Sequence, residues 1–64
     1  MDIRDVKFSL GDNVVYQNES KYKLTACIIR RDEKTGQFYY QAELQDLTNH
    51  NSILICRLED IKEE

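Results

Sequence analysis

A chain of 64 residues has room for one domain, and at that size only about 60% of the unfolded surface is buried on folding, which leaves no room for a large two-lobed catalytic cleft. With 41% hydrophobic and 33% charged residues and no proline, the composition is richer in apolar residues than a disordered tail and far poorer than a membrane span. The formal net charge of -3 provides no global attraction to nucleic acid or to an anionic membrane.

The first ten residues, MDIRDVKFSL, alternate charges with single apolar residues. They lack the uninterrupted apolar stretch of a secretory signal, and no later run approaches the ~18 apolar residues of a membrane helix, so a cytoplasmic protein with no membrane contact is expected. Phe8 to Leu10 then leads into Gly11-Asp12, one of two glycines in the chain, and Gly11-Asp12 is read as the turn before a first strand in GDNVVY. A phosphate-cradling role for Gly11 is disfavoured, since no second glycine lies nearby and no helix follows.

In YKLTACIIRR, residues 22 to 31, strand-like alternation places Tyr22, Leu24, Ala26 and Ile28 on one side and Lys23, Thr25, Cys27 and Ile29 on the other. FYYQAEL alternates more cleanly, with Phe38, Tyr40, Ala42 and Leu44 facing a core and Tyr39, Gln41 and Glu43 facing water. The intervening RDEKTGQ is a hairpin turn in which Gly36 adopts the left-handed conformation after a type I turn, so the two strands pair antiparallel.

DLTNHN, residues 46 to 51, is a polar connection to another strand, SILICRL, residues 52 to 58. In the tail, Leu58 and Ile61 are three apart as on a helix, but the segment is too short to be stable alone. The expectation is a 3₁₀-like turn at Leu58-Glu59-Asp60, after which Ile61 re-enters the sheet. Cys27 and Cys56 both sit in apolar segments and read as buried, reduced thiols, with a disulfide between them as the alternative. Together these signals describe an all-β domain over residues 1 to 64: four to five short antiparallel strands closing into a small barrel with one short 3₁₀ turn near the C-terminus.

The order FSLGDNVVY, then YKLTACIIRRDEKTGQFYYQAELQD, then ILICRLEDI resembles the SH3-like barrel of the Tudor and Tudor-related group. There a phrase of the form F..GD.V.. opens the first strand, A.I...D..TG.. forms the second strand with its hairpin, and L.DI closes the barrel. The match spans residues 8 to 61. The resemblance implies a non-enzymatic binding module, and in members that bind methylated lysine or arginine it implies an aromatic cage, for which this chain offers Tyr16, Tyr22, Tyr39 and Tyr40 with Asp46 as anionic partner. Where the group often has an aromatic in a D.YGN-like turn, this chain reads QDLTNHN with Leu47. The bland alternative is that Phe38 and Tyr40 fill the core while Tyr16, Tyr22 and Tyr39 cover its rim.

Chemistry-bearing clusters are sparse. His50-x5-Cys56 with Cys27 far upstream matches no common zinc spacing, and the single histidine lies in a polar loop with no nucleophile paired to it, so no metal, no cofactor and no enzymatic activity are expected. The candidate binding face is the central hairpin, with Tyr22, Lys23, Arg30, Arg31, Tyr39 and Gln41, because aromatic and arginine side chains are typical interface anchors. A protein partner is the first expectation. The alternatives are nucleic acid, with Lys21, Lys23, Arg30, Arg31 and Lys34 on phosphates and Tyr39 or Tyr22 stacking a base, and a homodimer formed through a strand edge such as Ser52 to Leu58.

Overall fold

The computed structural model describes all residues from Met1 to Glu64. A short helix α1 (Ile3–Ser9) precedes five strands, β1 (Asn13–Tyr16), β2 (Ser20–Arg31), β3 (Phe38–Asp46), β4 (Ile53–Arg57) and β5 (Ile61–Glu63), with a 3₁₀ turn at Leu58–Asp60 between the last two. All strand pairs are antiparallel, in the order β4-β3-β2-β1-β5. The expected class is therefore found, including the 3₁₀ turn and the return of Ile61 to the sheet.

Connectivity forces the sheet to curl. In a flat five-stranded sheet the outer strands would lie about 19 Å apart. Yet β4 and β5 are those outer strands, and only Leu58–Asp60 joins them. Even a fully extended link from Arg57 to Ile61 spans at most about 14 Å, and a 3₁₀ turn spans less. The two ends of the sheet are thus drawn together around one apolar interior, a barrel-like arrangement whose ladder stays open between β4 and β5.

That interior is small and lies at one end. Val14, Leu24, Ala42 and Leu44 are wholly buried, with Val6, Cys56, Leu58 and Ile61 around them. Each fully buried Leu or Val contributes roughly 1.5–3 kcal/mol relative to exposure. The molecule is 38 Å long by 23 by 19 Å, and the twelve-residue β2 at about 3.3 Å per residue runs that whole length. The distal half of the β2–β3 hairpin consequently projects past the core.

The structure differs from the expectation at three places. The residues ahead of Gly11, expected only to lead into the first strand, form a helix: the Asp2 carboxylate accepts the Arg4 N–H at 2.8 Å as an N-cap, and Val6 is buried in the core. On β2, the register shifts between Leu24 and Ala26, a bulge at Thr25 that re-phases the strand. Leu24, Cys27 and Ile29 therefore face the interior side and Ala26, Ile28 and Arg30 the outer side, in place of a strict alternation from Tyr22 to Ile29. Phe38, assigned to the core, is 64% exposed, because it lies beyond the end of the apolar cluster.

The turns follow the glycines. Gly11 has φ +89°, and its N–H donates to the Leu24 carbonyl at 2.7 Å while the Leu24 N–H donates to the Asp12 carbonyl at 2.9 Å, which ties the turn to β2. Asp12 acts here through its main chain. Gly36 has φ +72° and its N–H donates to the Asp32 carbonyl at 2.8 Å, while the Asp32 carboxylate accepts the N–H groups of Lys34 and Thr35. The tight β1–β2 turn has no glycine: Gln17 and Asn18 both take positive φ, 50° and 60°, and the Glu19 N–H closes onto the Tyr16 carbonyl at 3.1 Å. No helix is long and apolar enough to cross a membrane.

Candidate binding face of the central hairpin

Once the bulge has set the phase, the outer surface of the sheet can be read from the registers. Arg30 lies opposite Tyr39, Ile28 opposite Gln41, and Gln41 opposite Arg57 on β4. Their side chains meet: the Arg30 Nε donates to the Gln41 Oε1, and the Arg57 guanidinium carbon sits 5.7 Å from the centre of the Tyr39 ring. Arg30, Tyr39, Gln41 and Arg57 thus form one patch, with Ile28 inside it and Ile55 along its side.

The charge on this patch is available. Arg57 has only a long, exposed contact to Glu59 at 3.6 Å, and neither Arg30 nor Lys23 has a carboxylate within ion-pairing distance. By contrast, Lys21 is engaged by Glu64 at 2.9 Å, on the β1–β5 side.

Of the hairpin residues singled out from sequence, the structure brings Arg30, Tyr39 and Gln41 together and separates the rest. Arg31 pairs with Phe38 on the other face, its Nε donating to the Gly36 carbonyl at 3.3 Å. Lys23 shares the outer face but lies at the opposite end, paired with Gln45. Tyr22 packs edge-on against Tyr16 with ring centres 6.0 Å apart, against the core. Arg57 was missed; burial of its neighbour Cys56 in the run ILICR implies an outward Arg57, and that alternation is the signal that could have found it.

The aromatic cage is not assembled. Tyr16 and Tyr22 pair at one end, Tyr39 and Tyr40 lie toward the other on opposite faces of β3, and some 20 Å of strand separates Tyr40 from Asp46. Asp46 instead closes its own loop, its carboxylate accepting the N–H groups of Thr48 and Asn49 and the Thr48 hydroxyl, and these bonds hold it below the usual carboxylate range.

Cys27 and Cys56 are free thiols flanking Ala42 on the inner face, from β2 and β4. Two strand spacings put them about 10 Å apart, beyond disulfide reach. Burial pushes both thiols up, away from the reactive thiolate, with Asp60 adding to the effect at Cys56. His50 directs its Nε2 to the Leu47 carbonyl at 3.2 Å, and no three His, Cys, Asp or Glu side chains converge as metal ligands. No known protein-family model, curated protein or solved structure matches this chain.

Proposed function

We propose that this chain is a non-enzymatic binding module, a small SH3-like barrel of the Tudor-related type, that captures a partner protein on the outer face of its β2–β3 hairpin. The observation that carries the reading is the Arg30–Gln41 and Arg57–Tyr39 patch, which sets two guanidinium groups beside a half-buried ring on paired strands. Such a surface offers stacking area and forked donors at small entropic cost, and it suits an acidic, aromatic-tolerant segment of another protein. The sequence order FSLGDNVVY, TACIIRRDEKTG and RLEDI supports the Tudor-related assignment.

The test is substitution of Arg30 and Tyr39 together by Ala, followed by partner capture from lysate and thermal unfolding. Capture is expected to vanish while unfolding stays nearly unchanged, since both side chains stand outside the core. Persistent capture would show that the face is wrong.

Nucleic acid is the second reading, favoured by Lys23, Arg30 and Arg57 sharing one face with Tyr39. Binding to random-sequence single- or double-stranded DNA or RNA at low salt, lost steeply on salt titration, would establish it. Absence of binding at low salt would eliminate it.

A further inference from the structure

The two outer strands are defended unequally. β5 is three residues long, and two of them, Lys62 and Glu63, are charged, a combination that discourages pairing with another chain. β4, with the sequence ILICR, has no proline, no bulge and no charge before its last residue, and it exposes Ile53 at 57% and Ile55 at 42%.

The main-chain pattern says what this edge accepts. The Asp46 N–H donates to the Ser52 carbonyl at 3.0 Å, which marks that pair as hydrogen-bonded in the β3–β4 register. Alternation along an antiparallel ladder then makes Leu44–Leu54 and Ala42–Cys56 the other hydrogen-bonded pairs, and turns the N–H and C=O groups of Ile53, Ile55 and Arg57 away from β3. The Arg57 carbonyl, as N-cap of the 3₁₀ turn, accepts the first bond of that turn; the N–H and C=O groups of Ile53 and Ile55 and the Arg57 N–H are taken up by no loop or side chain of this chain. Met1, Asp2 and Ile3 lie beside Arg57, Leu58 and Glu59 at the end of the strand.

We infer that β4 is a self-pairing edge, and that two copies associate through antiparallel β4–β4 pairing about a two-fold axis at Ile55. Among registers that join outward-facing groups on both strands, this one forms the longest ladder, with Ile55 opposite Ile55 and Ile53 opposite Arg57 at both ends. Its side-chain pairing favours a second copy. The isoleucines make a continuous apolar stripe on the outer face, and each Arg57, whose guanidinium lies over Tyr39 of its own chain, sits opposite an Ile53 and not opposite the other Arg57, so no like charges are paired. Leu54 and Cys56 align across the other face.

The β4 edge borders the Arg30–Tyr39 patch through Ile55 and Arg57 but does not rest on partner capture there, and self-pairing is tested by sedimentation equilibrium of the full chain over a concentration series. Mass should rise from the 7.6 kDa monomer toward twice that value. Ile55→Lys sets two ammonium groups against each other at the axis and should weaken association by about tenfold or more, with an unchanged circular dichroism spectrum because Ile55 points outward. Ile55→Cys places two thiols directly opposite, at a Cα separation of about 5.5 Å that a disulfide spans, so oxidation should give a 55-to-55 bridge identified by mass spectrometry. A monomer at every concentration, or a dimer that neither Ile55→Lys weakens nor Ile55→Cys bridges, would overturn the inference.

Discussion

The two halves of the β2–β3 hairpin share strands and register but not environment. Near β1 and β5, Leu24 and Leu44 face each other with no exposed surface. One bulge and a few residues further on, Ile29 is 67% and Phe38 64% exposed although the pairing continues unbroken to Arg31 and Phe38. Hydrogen bonding alone therefore does not define the stable part of this molecule. The half that α1, Leu58 and Ile61 cover bears the fold, and the uncovered half is free to carry contacts to something else.

The sharpest way to break this contrast is Leu24→Ala. It should cost about 2–5 kcal/mol, enough to unfold most of a domain this small, whereas Ile29→Ala on the same strand should leave the denaturation midpoint nearly in place. Comparable losses at both positions, measured by urea titration, would show that the core extends along the whole hairpin.

Gly11→Val comes next. A Cβ at Gly11 would meet nothing within 4 Å, so the expected loss of about 1–3 kcal/mol is purely conformational, arising from φ +89°. Gly11→Asn, which tolerates the left-handed region better, should lose clearly less in the same titration.

A smaller effect is expected at Asp46. Its folded pKa is lowered by bonds to the Asn49 and Thr48 N–H groups and to the Thr48 hydroxyl, so its stabilisation of the loop is fully present above the ordinary aspartate range and fades as pH falls through the folded value. Carbon-detected NMR titration of the carboxyl group should give a midpoint below that of a model peptide. The Asp46→Asn variant should lose the part of the pH dependence that this group contributes. Smallest of all, Phe38→Ser should change stability by no more than about 0.5 kcal/mol and should lower nonspecific surface adsorption.

How legible these features were depends on how local their causes are. Gly36 and the antiparallel pairing of the hairpin could be read directly, because left-handed turn chemistry is fixed within a few residues. The Leu58–Asp60 turn was legible for the same reason. Helix α1 was not, since its seven residues have marginal propensity and hold their shape through the Asp2 cap and the burial of Val6, a tertiary contact. The Thr25 bulge escaped because no glycine marks it; the Thr25 hydroxyl, bound to the Glu43 carbonyl and carboxylate at 3.0 and 2.9 Å, occupies the break in the ladder. That unseen residue rotated the faces of β2 and so put Arg30 on the outer face; Arg30 and Arg31, read as one surface, are found apart because neighbouring strand residues point to opposite faces. The type I′-like turn at Gln17-Asn18 was hidden behind residues other than glycine, with Asn18 its one sequence hint.

The pairing of Val14 with Glu63, Val15 with Lys62 and Tyr16 with Ile61 joins strands about 45 residues apart and so sets the order in which the chain can mature. A growing polypeptide can form the β2–β3 hairpin as soon as both strands have emerged. β1 must wait, its outer edge and the interior Leu58 and Ile61 would fill both incomplete, until the last strand docks. Until Ile61–Glu63 docks, the folding chain is an open sheet with an unprotected edge at β1, and its vulnerability to misassembly is concentrated in that interval.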